Sequence, residues 1–422
     1  VLFTLALQVG AAVSPEFAQR RAKLRQEAPD GIVVLFGAKE SEDLHYGFFQ
    51  ENNFLYLTGW EEPGAILVLT PEPDKDDPNV VQKARLPREI LFVPQRVASQ
   101  EKWTGRKMGP SDSNAGALTG FTTVLPAEQF ESELRRLLET YPSVYALPGE
   151  ATAAMGKLAP LRTLLDAATP LAKLRMEKSE PEITAIRRAT DASIEAHLAA
   201  WRMMRPGEFE YEIAAAMTGA YMMDGCRRSA YAPIVGSGPN STILHYSRNS
   251  RRMDAGEVVV MDVAAECANY ASDITRTVPA NGHFTPRQRE IYGIVLGAQR
   301  AAIAAVKPGM TIGKKTPDSL YKIAYDYIDT HGKDLHGASL GKYFVHGLSH
   351  HVGLDVHDAS DTRDPLKAGM VITIEPGIYI PEENIGIRIE DVVLVTEKGA
   401  EVLSAALPVD PDEIERALAQ RK

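Results

Sequence analysis

Cysteine is scarce in this chain of 422 residues: there are two, Cys226 and Cys267. Neither has a companion at metal-ligand spacing, so they give no zinc motif and no disulfide framework. Both are expected as small buried apolar residues rather than as a redox pair. Basic charge is also in deficit. Lys and Arg total 46 against 56 Asp and Glu, for a net charge of −10. Phosphate binding needs a basic face, so this balance argues against nucleic acid as a bulk partner. Long apolar runs are missing too, since no segment reaches the ~20 residues that span a bilayer. The apolar stretch Val1 to Val13 is shorter. It reads equally as the apolar part of an export signal without a basic start and as a segment docked on the domain, so the sequence leaves cytoplasmic and exported locations open. No short-period repeat is visible. The apolar content of 44% and charged content of 24% are ordinary for a globular chain long enough for two or three domains.

What the chain does carry is a run of four histidines, His346, His350, His351 and His357, within twelve residues. Acidic residues flank it: Asp262 and Asp273, eleven positions apart, and Glu375 and Glu390, fifteen apart. A lone Asp is most often solvated, and a lone His is most often a satisfied structural residue. The set reads differently because several of its members adjoin strand-like apolar sequence. Asp262 ends Val258-Val-Val-Met-Asp262, Glu375 ends Met370-Val-Ile-Thr-Ile-Glu375, and Glu390 ends Ile385-Gly-Ile-Arg-Ile-Glu390. A carboxylate beside a buried strand is costly unless a partner offsets the lost hydration. Arg276 and Arg388 can pair two of the four acids but do not neutralise the whole set, and metal ions are the other partners. Four carboxylates and an imidazole suit a pair of hard divalent cations, with Mn²⁺ expected. Two such ions roughly 3.5–4 Å apart can share a water, lower its pKa and clamp a scissile carbonyl.

Alternating strand and helix signals predict an α/β (α+β) chain. Ser14-Pro15-Glu16 opens a helix. Short strands are expected at residues 31–36, 53–57, 65–69, 90–93 and 144–147. A loop is expected from Pro71 to Arg88 and a helix from Leu125 to Glu139. The organisation changes near Ala168-Thr-Pro170. The expected domains are therefore residues 14–170 and 171–422, the second with a long helix from Ser179 and further helices at 208–223, 285–306 and 311–329. Asp262 and Asp273 are expected on the paired strands of one hairpin, and Glu375 and Glu390 on a second pair, with bends at Pro376-Gly377 and Glu382-Glu-Asn384.

Several segments carry a resemblance: Ile243-Leu-His-Tyr246, Ser272-Asp-Ile-Thr-Arg-Thr277, His346-Gly-Leu-Ser-His350, Gly353-Leu-Asp-Val-His-Asp358, Ile374-Glu-Pro-Gly377 and Arg388-Ile-Glu-Asp391. In this order they resemble the pita-bread metallopeptidases, and among those the Xaa-Pro aminopeptidases (aminopeptidase P). The segment Gln50 to Trp60, followed by Glu62-Pro63, resembles that family's first domain. The similarity thus covers nearly the whole chain from about Ser14. It implies an amino-terminal creatinase/aminopeptidase P-type domain followed by a pita-bread domain.

The resemblance further implies metal ligands at Asp262, Asp273, His350, Glu375 and Glu390, with Asp273 and Glu390 bridging. It implies that Glu375 takes and returns a proton, and that His245, His346 and His357 support the ligands or contact substrate. Tyr231, His346 and Arg388 match positions around the proline pocket. Arg388 either orients a metal carboxylate or binds a substrate carboxyl. Trp103 resembles a tryptophan that reaches a neighbouring subunit, which implies a homo-oligomer, dimer or tetramer; a core or domain-interface aromatic is the other reading. In an extended segment His346 and His350 share a face that His351 does not, so His351 is not expected to ligate. One departure is Ala264, where the family has glycine. The expected activity is release of the first residue from peptides with proline second. A prolidase acting on free Xaa-Pro dipeptides is the alternative, and a non-catalytic binding protein of the same fold is a more distant one.

Overall fold

Ser14 accepts the backbone N–H of Glu16 at 3.3 Å and begins the helix Pro15–Glu27, with proline in its first turn. The structure, a computed structural model, describes residues 14–40 and 47–420. The apolar segment of residues 1–13 lies outside the described residues. The chain divides into two compact units, one ending at Leu174 and the other beginning at Arg175.

The first unit is built on a six-stranded sheet, in the order Val124–Pro126, Glu89–Val93, Ile66–Leu69, Ile32–Phe36, Ser143–Ala146 and Thr163–Asp166. The Ile32–Phe36 strand pairs antiparallel with Ile66–Leu69 and parallel with Ser143–Ala146. Ile32, Val34, Val68, Ile90 and Phe92 pack against Phe130, Leu134 and Leu137 of the helix Phe130–Leu138. Three expectations need correction. The strand expected at residues 53–57 is the helix Asn52–Thr58. Glu51 accepts the N–H groups of Asn53 and Phe54 at its start, and Gly59 closes it at φ 63°. Seven residues are too few for periodicity to separate helix from strand, so the caps decide. The Pro71 to Arg88 loop contains the short helix Val80–Ala84. The helix expected from Leu125 starts only at Phe130, because Val124–Pro126 extends the sheet edge.

In the second unit the helix Glu180–Met203 begins in a capping box between Ser179 and Glu182. The helices Glu210–Met223, Pro286–Ala305 and Leu320–His331 follow. The last starts later than expected, at the Ser319 cap, because the residues before it form turns. Strand Val258–Asp262 lies between Ile234–Ser237 and Thr275–Pro279. Val371–Ile374 pairs with Asp391–Thr396, and Gly377–Ile380 with Ile385–Arg388. Val258, Met261, Ile372, Ile374, Ile378 and Ile387 join one apolar core with Ile291 and Val295 of the helix Pro286–Ala305. The strands carrying the acids are therefore anchored from beneath.

The cysteines are not independent buried residues. Cys226 and Cys267 form a disulfide across 41 positions of sequence. Both are 3% exposed, so they are buried as expected. Their pairing follows from strand register: Arg228–Ser229 runs antiparallel to Ala265–Cys267, with Glu266 opposite Arg228. That register brings the two ends together and is invisible in the spacing of two cysteines.

Candidate metal centre

Asp262, Glu375 and Glu390 sit at or next to strand ends, and Asp273 lies in the short link between Tyr270–Ala271 and Thr275–Pro279. Asp262 closes Val258–Asp262, and its strand partner across the ladder is Thr275. Asp273 lies two residues before that threonine, just ahead of the strand Thr275–Pro279. The residues between the aspartates are not a plain loop. They form a small hairpin, Ala265–Cys267 with Tyr270–Ala271, turned at Ala268 and Asn269 with φ 50° and 68°. Glu375 stands between Val371–Ile374 and Gly377–Ile380, and Glu390 between Ile385–Arg388 and Asp391–Thr396. The hairpin joining these two glutamates turns at Pro381–Glu383 and at Asn384, whose φ is 52°. A bridge between Glu390 and Thr275 ties the two halves together.

The side chains converge. His350 Nε2 lies 3.3 Å from Asp273 Oδ2 and 3.5 Å from Glu375 Oε1. One ligand atom each from Asp273, His350 and Glu390 falls within 4.8 Å of the others. Asp262, Asp273, Glu375, Glu390, His350 and Arg388 line one cleft, with His245, His346 and His357 on its walls. Glu390 is 2% exposed and Asp273 5%.

The charge balance shows what this cluster needs. Arg388 meets Asp262 at 2.6 Å. Arg276 pairs none of the four acids, contrary to the sequence-based expectation. It is held by Asp391 and by the Glu390 carbonyl, each at 2.7 Å, because it points to the opposite face of its strand from Thr275. Burial, opposed mainly by Arg388, raises the Asp262 pKa. Burial and then Asp273 and Glu375 drive Glu390 well above the carboxylate range. Burial lifts Glu375 to about 7 against the pull of His350. Burial disfavours the charged form of His350, but the hydrogen bond to Asp273 and the charge of Glu375 outweigh it and raise its pKa to about 9. Asp262 Oδ1 is buried without a hydrogen-bond partner among the described residues. An orphaned carboxylate oxygen among crowded acids fits oxygen-seeking divalent cations.

Two domain families match this sequence: the aminopeptidase P N-terminal domain over residues 17–145, and metallopeptidase family M24 over residues 184–397. The chain belongs to metallopeptidase family M24. Over 442 residues it is 36% identical to an Xaa-Pro aminopeptidase of Escherichia coli (strain K12), covering 95% of this chain and 96% of that one. Over 449 residues it is 34% identical to Xaa-Pro aminopeptidase 3 of Homo sapiens, covering 96% and 86%. A solved structure of a substituted E. coli aminopeptidase P in complex with substrate superposes with a TM-score of 0.82 at 33% identity, covering 97% and 99% of the two chains. The fold is the expected one, an aminopeptidase P-type domain followed by the pita-bread domain.

Within this M24 centre the histidines separate. His346 Nδ1 donates to the Gly347 carbonyl at 2.7 Å, so its Nε2 accepts from the Tyr379 hydroxyl at 2.8 Å. That hydroxyl oxygen in turn accepts from Arg388 Nη1 at 2.8 Å. Burial holds His346 neutral, with its pKa near 3. His351 is 2% exposed, and its backbone bridges to Ile372. His357 stacks edge-on against His350, with ring centroids 4.4 Å apart. His245 and His357 are exposed in the cleft. Tyr231 donates its hydroxyl to Asp273 Oδ1 at 2.6 Å and lines the neighbouring part of the cleft with Ile234 and Val356. Ala264 is fully buried, and its carbonyl accepts the Ala230 N–H at 2.9 Å. Trp103 is in the first unit, on the short helix Glu101–Thr104, and is 86% exposed.

Three contributors escaped the sequence reading. Thr275 donates to Glu390 Oε2 at 2.6 Å. Thr373 donates to Glu375 Oε1 at 3.3 Å and accepts the His350 N–H at 3.1 Å. Tyr379 joins Arg388 to His346. The available signal was strand alternation: Thr275 is two after Asp273, Thr373 two before Glu375, and Tyr379 four after it.

Proposed function

We propose that this chain releases the amino-terminal residue from peptides with proline second, and that Asp262, Asp273, His350, Glu375 and Glu390 hold two divalent cations, Mn²⁺ by preference, for that hydrolysis. The observation that carries the reading is the meeting of four carboxylates and His350 in one cleft, where Arg388 is the one arginine paired with those acids among the described residues. Bound there, the cations would acidify a water and polarise the scissile carbonyl. The residues do the rest. Glu375 moves the proton between attacking water and leaving amine. His245 and His357 offer ring N–H groups from the cleft wall to the carbonyl oxygen, where one such donor is typically worth ~10²–10³ in rate. Tyr231 and Thr275 hold Asp273 and Glu390 in place. Residues 14–170 serve as the aminopeptidase P-type domain and 171–422 as the catalytic domain.

Arg388 favours an aminopeptidase over a prolidase. It is 3% exposed, and its guanidinium already meets Asp262, Tyr379, Thr275 and the Leu244 carbonyl. Such a fork orients a metal carboxylate and has little left for a free proline carboxylate. Comparing kcat/KM for an Xaa-Pro dipeptide and its extended counterpart tests this. The longer peptide is expected to be cleaved more efficiently, and a strong dipeptide preference would reassign the activity to prolidase.

Assembly into a homo-oligomer, dimer or tetramer, with Trp103 reaching a neighbouring copy's proline pocket, rests on the resemblance at that residue, and its 86% exposure leaves the indole free of its own unit's core. Trp103→Ala is then expected to raise KM for Xaa-Pro peptides while the metals stay bound. A monomeric, fully active enzyme in light scattering would remove this role.

A further inference from the structure

Beside the metal centre lies a second charged cluster, centred on three buried side chains that do not line the cleft. Asp358 Oδ1 accepts from Arg175 Nη2 at 2.5 Å, and Oδ2 accepts from Lys178 Nζ at 2.8 Å. The three side chains are 2%, 2% and 1% exposed for Asp358, Arg175 and Lys178. Arg175 Nη2 also reaches Asp355 Oδ2 at 2.7 Å, and Asp358 Oδ1 accepts the Asp355 N–H at 3.3 Å. The turn at residues 355–358 is thus closed on itself and clamped. Gly353 allows the approach, since a Cβ there would lie 2.3 Å from Asp358 Oδ2. Buried ion clusters are poor sources of stability, because apolar residues of similar volume commonly do as well or better. Stability alone therefore does not account for two buried cations on one buried carboxylate.

The cluster's backbone contacts lead into the centre. Asp358 N–H donates to the His351 carbonyl at 2.9 Å. The same carbonyl accepts from His350 Nδ1 at 3.1 Å. A carbonyl can only accept, so His350 carries hydrogen on Nδ1 and its Nε2 points at Asp273 and Glu375. His357, the residue before Asp358, packs edge-on against the His350 ring. We infer that Arg175, Asp358 and Lys178 form a positioning cluster for the metal centre: by clamping the 355–358 turn they fix the His351 carbonyl that sets the His350 tautomer, and they seat His357 beside it. The inference rests on reading His350 as a ligand.

The test uses the full chain with Asp358→Asn, Lys178→Met, Lys178→Arg and His350→Ala. Mn²⁺ affinity is measured by competition with a fluorescent chelator, kcat and KM with an Xaa-Pro peptide, and folding by circular dichroism and melting. Asp358→Asn and Lys178→Met are expected to weaken Mn²⁺ binding and lower kcat about 10–100-fold, the usual cost of losing a group that orients a ligand, with little change in KM. The Co²⁺-loaded variants should show altered visible absorption bands. Lys178→Arg, which restores the cation, should recover most of both losses. Folded variants with lower melting temperature but wild-type Mn²⁺ affinity, kcat and Co²⁺ spectrum would overturn the positioning role. Should Asp358→Asn fail to fold, Lys178→Met decides by the same readouts, because it retains the Arg175–Asp358 pair. Wild-type affinity in His350→Ala would instead overturn the ligand reading; loss there with wild-type behaviour in the cluster variants overturns the positioning role alone.

Discussion

Treatment with a chelator is expected to abolish peptide cleavage by this protein, and added Mn²⁺ to restore it. The expectation follows from charge. Asp262, Asp273, Glu375 and Glu390 share one cleft, and burial raises the pKa of Asp262, Glu375 and Glu390. Arg388 offsets the charge at Asp262, while Arg276 is committed to Asp391. Without metal, the cluster is eased by protons, on Glu390, which burial and its acidic neighbours drive well above the carboxylate range, and on His350 and Glu375, whose pKa values lie at about 9 and about 7. A ligating nitrogen or oxygen must shed its proton. The sign is therefore fixed: these pKa values are raised, the groups hold protons at or below neutrality, and cations compete with those protons. Apparent affinity should climb with pH by up to about tenfold per unit for each proton displaced. Calorimetry in buffers of different ionisation enthalpy reads the proton release directly. Metal should also raise the melting temperature, by roughly 2.7 kcal/mol of added stability at a hundredfold excess over Kd. Full activity in protein shown by elemental analysis to be metal-free would sink the metal reading.

How much of this was legible beforehand depended on where the deciding interaction lies along the chain. Asp262, Glu375 and Glu390 could be found because each closes a short apolar run, whereas Asp273 stands between two strands and was legible only through the Ser272-Asp-Ile-Thr-Arg-Thr277 motif. The long helices could be found because Ser179 and Thr285 stand at their starts with Glu182 and Gln288 three residues later. The helix Asn52–Thr58 was misread because it is short and apolar all round, with Phe54, Leu55, Tyr56 and Leu57 all buried. Contacts set by register across distant strands left no local trace. The Cys226–Cys267 disulfide, the Arg276–Asp391 pair and the meeting of Arg175 with Asp358, 183 positions apart, are of this kind. Arg276 shows the limit most directly. Its place in the motif said that it was near the acids, and only the strand face said which acid it would meet.

Replacing Glu375 by glutamine should cost about a thousandfold in kcat, roughly 4 kcal/mol of barrier, even when the metals are saturated. The two carboxylate oxygens stand in different surroundings. Oε1 is engaged by Thr373 Oγ1 at 3.3 Å and lies 3.5 Å from His350 Nε2. Oε2 has His346 Nδ1 at 3.7 Å, beyond hydrogen-bond length, and that nitrogen is already spent on the Gly347 carbonyl. One oxygen is placed to ligate beside His350, and the other is available to take a proton from water and pass it to the leaving amine. Glutamine keeps an oxygen donor and the side-chain volume but cannot accept and return that proton. Mn²⁺ affinity should therefore fall modestly while kcat collapses, and the loss should persist at any Mn²⁺ concentration. The neighbouring variant Thr373→Val separates the two duties. It removes the hydroxyl that holds Oε1 and should disturb metal affinity more than proton transfer. Titrating Mn²⁺ into both variants while following turnover distinguishes the cases. An activity loss in Glu375→Gln that excess Mn²⁺ fully reverses would assign this residue to holding metal alone.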